Sequence, residues 1–202
     1  MPEQDFYYTI EKPSVAEYKE RGSKFIAYAF PLDAASEFKN QLQQLKKEHP
    51  KAEHHCFAYR IGMDGNNFRS SDDGEPSGSA GKPILGQLDS KQITNASIIV
   101  VRYFGGSLLG VPGLINAYRT AAAIALQLTP IVQKQVETNY TIQFDYTQVN
   151  EIMILLKQYQ CSIVRQEMQL FCAITAGIPK RSLQDVLYKL KELQGVIVEK
   201  AP

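Results

Sequence analysis

At 202 residues the chain can form one large domain or two small ones, and its 44% apolar and 21% charged residues are typical of a soluble globular protein. The 22 Lys and Arg residues are balanced by 21 Asp and Glu, which argues against tight binding of nucleic acid through phosphates and gives no reason to expect DNA sequence specificity. A polar start, no apolar run of membrane-spanning length and three cysteines without CxxC spacing predict a cytoplasmic protein that does not associate with membranes.

The first 136 residues are predicted to form a domain of mixed strands and helices. Strands are expected over residues 6–11, 24–30, 54–61 and 97–104. Asp33 is expected to cap a helix that buries Phe38, Leu42 and Leu45. A second helix is expected over residues 113–128, where many alanines would allow close packing against a sheet.

Residues 137–202 follow a more regular pattern of alternating elements. The predicted elements are a strand over 139–146, a helix capped by Thr147, strands over 162–169 and 170–178, a helix opened by a capping box at Ser182, and a strand over 196–198. This βαββαβ order is that of a ferredoxin-like domain. Polar residues at 133–138 separate it from the elements before it, so we predict an α+β protein with domains at residues 1–136 and 137–202.

A glycine-rich loop over residues 104–113 follows an apolar strand and leads into the second helix. Its glycines include Gly105, Gly106 and Gly110. The loop lacks the Lys and Ser/Thr of a P-loop and the GxG turn of a dinucleotide-binding fingerprint. Either the glycines only permit tight packing, or they contribute to a site for an anion or a partner beside the N-terminus of the helix.

A second unusual loop, residues 69–83, is rich in Ser, Gly, Pro and carboxylates. It carries Ser71, Asp72, Asp73, Glu75, Ser77 and Lys82. Three carboxylates could bind a divalent cation, but their spacing is not that of an EF-hand. We favour a role in which Asp72 or Glu75 accepts backbone hydrogen bonds that fix the shape of the loop, which then serves as a recognition surface.

The run His54-His55-Cys56 invites a metal or catalytic interpretation. On a strand, His54 and Cys56 share one face while His55 points to the other, and no further ligand stands at zinc-site spacing. A triad of Ser71 or Ser77 with His55 and Asp72 stays open, although no nucleophile elbow is present. We therefore predict no catalytic residue, no metal and no cofactor, and take a buried, hydrogen-bonded histidine as the default.

Basic and aromatic side chains accompany these motifs. The cations are Arg21, Lys24, Arg60, Arg69, Lys82, Arg102 and Arg119, and the rings are Phe25, Tyr59, Tyr103, Phe104 and Tyr118. Cations that hold phosphates and rings that stack on bases are used by proteins that bind single-stranded nucleic acid. The alternative is that each cation pairs with a nearby carboxylate and each ring packs in the core, which we favour for the rings.

These motifs together resemble the signature of the IMPACT family, in its bacterial YigZ branch. The matching segments are ERGSKF at 20–25, HHC at 54–56, AYR at 58–60, SDDGEPSGSAG at 71–81 and RYFGGSLLG at 102–110. The resemblance implies an N-terminal domain like the second domain of a small-subunit ribosomal protein and a C-terminal domain like the small domains of elongation factor G. Eukaryotic members resemble translation regulators that compete for the co-activator of an initiation-factor kinase. Val111-Pro112 and Asn116 depart from the bacterial pattern and weaken an anion-binding interpretation.

We expect a non-enzymatic protein that binds the ribosome, RNA or a translation factor. The alternatives are an enzyme acting on an anionic or phosphorylated substrate between the loops at 71–82 and 102–113, and a protein-interaction regulator. We expect the two loops to form one surface, in which Arg102 either braces Asp72 or Glu75 or reaches a ligand phosphate. The candidate binding residues are Arg21, Lys24, His55, Arg60, Ser71, Asp72, Glu75, Ser77, Lys82, Arg102, Gly105, Gly106, Gly110 and Arg119.

Overall fold

A computed structural model describes residues 5–62, 66–169 and 171–201. The protein is α+β and divides into two compact units. One unit is Tyr7–Lys134, and the other comprises residues 135–201 together with residues 5 and 6. Among the described residues, no helix is long and apolar enough to cross a membrane.

The first unit is built on a five-stranded antiparallel sheet. The elements that lie wholly or mostly within it are β1 (Phe6–Ile10), β2 (Ser14–Glu20), β3 (Ser23–Pro31), α1 (Ala35–Glu48), β4 (His54–Ile61), β5 (Asn67–Ser71), α2 (Gly81–Ser90), β6 (Ala96–Tyr103), α3 (Gly110–Gln127) and β7 (Ile131–Gln135). The strand order in the large sheet is β2-β3-β6-β4-β5, and β1 pairs with β7 in a separate two-stranded sheet. The central strand β6 therefore has a neighbour on each side from Ala96 to Arg102.

Both faces of the large sheet are covered, which explains the apolar run in β6. Ile98 and Val100 point to the face packed against α2 and α3, where they meet Phe25 of β3. Ile99 points to the other face, where it packs with Phe57 and the α1 side chains. Alternation along a strand sends successive residues to opposite faces, so a strand buried on both faces has no polar stripe.

Several local predictions for the first unit were wrong. The helix α2 was missed because Gly81-Lys82-Pro83 suggests a loop, although proline is tolerated in the first turn of a helix. Strands β2, β5 and β7 were not predicted. Asp33 does not cap α1, whose N-cap residue is Ala34 without a side-chain cap. The helix α3 begins at Gly110 rather than Gly113, so Pro112 lies in its first turn, where a missing N–H costs no intrahelical hydrogen bond.

The second unit has the predicted βαββαβ order. Its elements are β8 (Glu137–Asp145), α4 (Val149–Gln158), β9 (Ser162–Met168), β10 (Phe171–Pro179), α5 (Leu183–Glu192) and β11 (Ile197–Lys200). The antiparallel strand order β11-β8-β10-β9 is ferredoxin-like, and α4 and α5 pack with Ile142, Ile174 and Val186 in one core. Asp145 rather than Thr147 caps the 3-10 turn before α4, and Ser182 makes no side-chain cap before α5.

Candidate functional site

The loop between β5 and α2 is held in shape by one carboxylate. Asp72 Oδ2 accepts a hydrogen bond from Gly78 N at 2.8 Å, and Oδ1 accepts from Ala80 N at 3.0 Å and Gly81 N at 2.8 Å. Burial alone would raise the pKa of Asp72, but these N–H donors outweigh it and lower the pKa below its usual value. Gly81 also lies against the backbone of Ser71, where a Cβ would approach Ser71 N to 2.7 Å. The loop is thus anchored from inside.

The same loop orients the two histidines of β4. Asp73 adopts a φ of 41°, its Oδ2 accepts from His55 N at 2.7 Å, and its carbonyl accepts from His54 Nδ1 at 2.8 Å. Because a carbonyl can only accept, the Nδ1 atom of His54 carries the proton. His54 Nε2 is then directed towards Glu75, with 3.9 Å between it and Glu75 Oε1.

A buried ion pair joins the two motif loops. Arg102 lies at the end of β6, directly across the sheet from Phe25 of β3 and His54 of β4. Its Nη1 donates to Glu75 Oε1 at 2.6 Å, and the Tyr118 hydroxyl of α3 donates to the same oxygen at 2.7 Å. Arg102 and Glu75 are 6% and 9% exposed. We call Glu75, Arg102 and Tyr118 the floor of the site.

Neighbouring groups fix the position of the Arg102 guanidinium. Its centre lies 5.5 Å from the Phe25 ring and 5.7 Å from the Phe104 ring, distances suitable for cation–π attraction. Its Nη2 lies 3.4 Å from Ser23 Oγ, which also accepts from Gly105 N at 3.2 Å. Its Nε is buried and has no hydrogen-bond partner. The guanidinium is therefore positioned mainly by Glu75 and by two rings.

The glycine loop is pressed against the β2–β3 turn. A Cβ on Gly105 would come within 1.9 Å of the Gly22 carbonyl carbon, so only glycine fits there. Gly106 and Gly110 are exposed and have φ values of 84° and 69°, in the left-handed region that glycine tolerates best. Gly105 is thus required for close packing, while Gly106 and Gly110 lie exposed beside the N-terminus of α3.

The two loops enclose a cleft above the floor, with a volume of about 440 Å³. Its lining residues are Glu53, His54, Glu75, Pro76, Arg102, Phe104, Leu108, Leu109, Gly110, Val111 and Leu114. Most of this lining is apolar. We call Phe104, Leu108 and Val111 the rim, because they are exposed by 46%, 85% and 45%. An apolar cleft with a few fixed polar groups at its base is a common form of binding site.

Several predicted site residues lie elsewhere. His55 is buried on the face of the sheet opposite the cleft, where desolvation and the nearby Lys46 lower its pKa, so it does not line the cleft. Lys24 pairs with Glu17 at 2.7 Å, and Arg60 pairs with Asp89 at 2.6 Å. These two cations are engaged with carboxylates, which is the alternative that the sequence had left open.

The remaining predicted residues surround the loops without lining the cleft. Arg21 is exposed in the β2–β3 turn with a φ of 45°, and Arg119 is exposed on α3. Ser77 and Lys82 are exposed, and Ser71 Oγ accepts from Asp73 N at 3.2 Å within the loop. Of the predicted set, the cleft lining contains Glu75, Arg102 and Gly110.

The Cys56 thiol and the Tyr118 hydroxyl are not activated as nucleophiles or general bases. Cys56 is fully buried, with Sγ 3.0 Å from the Asp72 carbonyl and 3.3 Å from the Tyr118 hydroxyl. Burial raises the pKa of the Cys56 thiol and that of the Tyr118 hydroxyl, so both groups stay protonated. Within the described residues, no group of three or more His, Cys, Asp and Glu could hold a metal ion.

The predicted set left out most of the cleft lining, including the rim residues Phe104, Leu108 and Val111, and also polar residues that shape the site. Ser23, Glu53, His54 and Tyr118 were not among its candidate residues, although all contact or line the floor or the cleft. The sequence did contain a signal for His54, because alternation along a strand places its side chain on the face opposite that of His55. For Tyr118 the only signal was its place in an apolar helix, where a ring is most often part of the core.

Comparisons with known proteins identify the family. The Impact N-terminal domain matches residues 21–126, a range that includes both motif loops. An IMPACT family member of Haemophilus influenzae is 35% identical over 188 residues, covering 92% of this chain and 91% of the relative. The IMPACT family member YigZ of Escherichia coli is 36% identical over 172 residues, covering 84% of each. A crystal structure of a hypothetical protein, 30% identical, superposes with a TM-score of 0.74 and covers 98% of both chains. This chain belongs to the IMPACT family.

Proposed function

We propose that this protein binds another protein through the cleft between its two motif loops. The observation that carries the proposal is the contrast between an exposed apolar rim and a closed polar floor. Leu108 is 85% exposed beside Phe104 and Val111, which leaves a contiguous apolar edge in water. Exposed apolar patches around a cleft are typical of interaction sites, because covering them removes apolar area from water.

Binding fits the floor better than catalysis does. The Glu75 carboxylate already accepts from Arg102 and Tyr118, and the Cys56 thiol and Tyr118 hydroxyl have raised pKa values. A nucleophile or general base must instead be free to exchange a proton with a substrate near neutral pH. The floor therefore acts as a rigid support that fixes the position of the loops above it.

A protein partner fits the cleft better than RNA or a phosphorylated metabolite does. The ionisable lining residues are Glu53, Glu75, Arg102 and His54, and the arginine is paired with a carboxylate. This set offers no excess of positive charge, whereas nucleic-acid binding depends on Lys and Arg side chains that neutralise phosphates. An apolar segment of a protein partner would instead cover the rim residues.

The family resemblance supports a partner from the translation machinery. Eukaryotic IMPACT proteins resemble translation regulators that act by competing for a protein, and this chain carries the same signature motifs. We therefore propose a translation factor or a ribosomal protein as the partner class, bound directly rather than through RNA.

Affinity capture with nuclease treatment tests this proposal. Tagged wild-type protein is expected to retain a discrete partner after digestion with nuclease. Leu108→Asp should abolish retention, because it places a charge in the centre of the rim. Leu128→Asp is the matched control, since Leu128 is also an exposed leucine, 57% exposed, directly after the opposite end of α3.

Three outcomes would contradict the proposal. Loss of every partner on nuclease treatment would indicate binding through RNA. Equal losses for Leu108→Asp and Leu128→Asp would show that the rim is not the contact. Thermal stabilisation of the pure protein by phosphorylated metabolites, without any protein partner, would favour an enzyme or an anion-binding protein instead.

A further inference from the structure

The second unit exposes an open sheet edge that is independent of the cleft. β9 lies at one end of the strand order β11-β8-β10-β9, and within the described residues only β10 pairs with it. All seven residues of β9 are exposed. Ile163, Val164 and Met168 are exposed by 40%, 58% and 36%, and Arg165 and Glu167 are the charged residues of this strand.

An apolar groove runs beside this edge. It has a volume of about 540 Å³ and is lined by Asn150, Met153, Ile154, Leu156, Lys157, Cys161 and Ile163. It therefore lies between helix α4 and the beginning of β9. A strand added to β9 would satisfy the open backbone groups and could place side chains in this groove, as in known cases of strand addition.

The charges on β9 indicate which strand would fit. Arg165 and Glu167 pair with Thr175 and Ala173 of β10, while Ile174 between them is buried in the core. Both charged side chains therefore stand on the face opposite the helices. They form an ion pair with each other at 2.5 Å and remain exposed. The edge thus presents one positive and one negative charge, two residues apart.

Antiparallel pairing of two β9 strands is self-complementary in one central register. Pairing centred on Arg165 or on Glu167 sets like charges opposite each other, which is destabilising. Pairing centred on Gln166 sets Arg165 of each copy opposite Glu167 of the other. Sliding one strand by a single residue against the other would pair residues whose side chains belong to opposite faces of the two sheets. In the Gln166 register, Met168 of one copy lies opposite Val164 of the other, so exposed apolar side chains meet.

We propose that two copies of this chain associate through their β9 strands, antiparallel and centred on Gln166, in a continuous eight-stranded sheet. The irregularity in the β9–β10 register, which leaves Val164 without a β10 partner, limits the ladder to a few residues around Gln166. The opposite edge, β11, has only four residues and is less suited to pairing. The partner is therefore a second copy, and the interface is short and dependent on charge.

Sedimentation velocity of the full-length protein over a concentration series tests the interface. The wild-type chain is expected to form a dimer as concentration rises. Arg165→Glu should weaken the dimer by about tenfold or more, because it replaces two attractive cross-strand pairs by two repulsive ones. Glu167→Arg should weaken it to a similar extent. The double variant R165E/E167R restores opposite charges and should recover the wild-type affinity.

Glu199→Arg provides the control, because Glu199 is a charged residue on the opposite edge strand β11. It should leave the dimer unchanged, and circular dichroism should show that each variant folds. A wild-type chain that stays monomeric at all concentrations overturns the proposal. So does a dimer that Arg165→Glu leaves intact, a double variant without recovery, or a dimer that Glu199→Arg weakens as much as Arg165→Glu.

Discussion

The floor and the rim of the cleft lie close together, yet they are built in opposite ways. In the floor, Glu75, Arg102 and Tyr118 are polar but excluded from water, and they bond to one another. In the rim, apolar side chains are exposed to water; Leu108 is the most exposed, while the Phe104 ring also lies 5.7 Å from the Arg102 guanidinium. The two regions share one segment, since Arg102 of the floor and Phe104 and Leu108 of the rim belong to the same motif, whereas Glu75 belongs to the acidic loop.

This difference indicates which substitutions should change the stability of the fold and which should change partner binding. A buried ion pair contributes little net stability over an apolar core, but removing one member is costly because the other charge remains buried without a partner. An exposed leucine contributes little to folding, and its substitution changes little in the isolated chain. We therefore expect floor substitutions to lower the free energy of unfolding and substitution of the exposed rim residue Leu108 to affect only the bound state.

The largest effect is expected from Glu75→Ala. It leaves the buried guanidinium of Arg102 and the hydroxyl of Tyr118 without their shared acceptor. The free energy of unfolding should fall by about 3–5 kcal/mol, as measured by chemical denaturation. Lys24→Ala is the control, because the Lys24–Glu17 pair is exposed and its loss should cost only about 0–1 kcal/mol. Equal costs for the two variants would show that the floor is not a buried network.

A somewhat smaller loss is expected from Gly105→Ala. The new Cβ would overlap the backbone of the β2–β3 turn, so the glycine loop must shift away from Gly22. Such overpacking costs about 1–3 kcal/mol and should appear as a lower melting temperature. Gly86→Ala is the matched control, since Gly86 lies within α2 with open space around its Cα. That change should stabilise by about 0.5–1 kcal/mol. Destabilisation by both variants would contradict the proposed close packing.

Asp72→Asn should have a moderate effect that depends on pH. Asparagine keeps one oxygen for Ala80 and Gly81 but presents an NH₂ group to the Gly78 N–H, and it loses the charge. At neutral pH the expected cost is about 1–3 kcal/mol. Because the folded pKa of Asp72 is lowered, its contribution is complete above the ordinary carboxyl pKa and is lost as pH falls through the folded value. Stability curves of the two proteins should converge there, and a constant difference would argue against this titration.

The spacing of apolar residues along the chain was the main basis of the fold prediction, because it indicates which side of a helix or strand is buried. The βαββαβ order of the second unit was legible for this reason, and the structure confirms it together with the α+β class. The strand β5, in contrast, has the sequence Asn67-Phe68-Arg69-Ser70-Ser71, which lacks an apolar alternation and is stabilised by its pairing with β4. Independent folding of residues 137–202 stays a prediction.

The site was only partly predictable, because sequence gives residue types but not distances. Both motif loops were recognised, and Arg102 was expected either to brace Asp72 or Glu75 or to reach a ligand phosphate. Selecting Glu75 requires the path of the loop, in which Asp72 is already occupied by three backbone N–H groups. Likewise, the shared hydroxyl donor of Tyr118 depends on the packing of α3 against the sheet, which no local pattern encodes.

The smallest effect on stability is expected from Leu108→Asp. The side chain is 85% exposed, so the free energy of unfolding should change by no more than about 0.5 kcal/mol. Leu114 also lines the cleft but is 5% exposed, and Leu114→Asp would bury a charge without a partner and destabilise the fold strongly. Denaturation of both variants therefore separates the two kinds of lining residue. If Leu108→Asp lowered stability by several kcal/mol, the rim would be part of the folded core, and any loss of partner binding in that variant would no longer locate the interface.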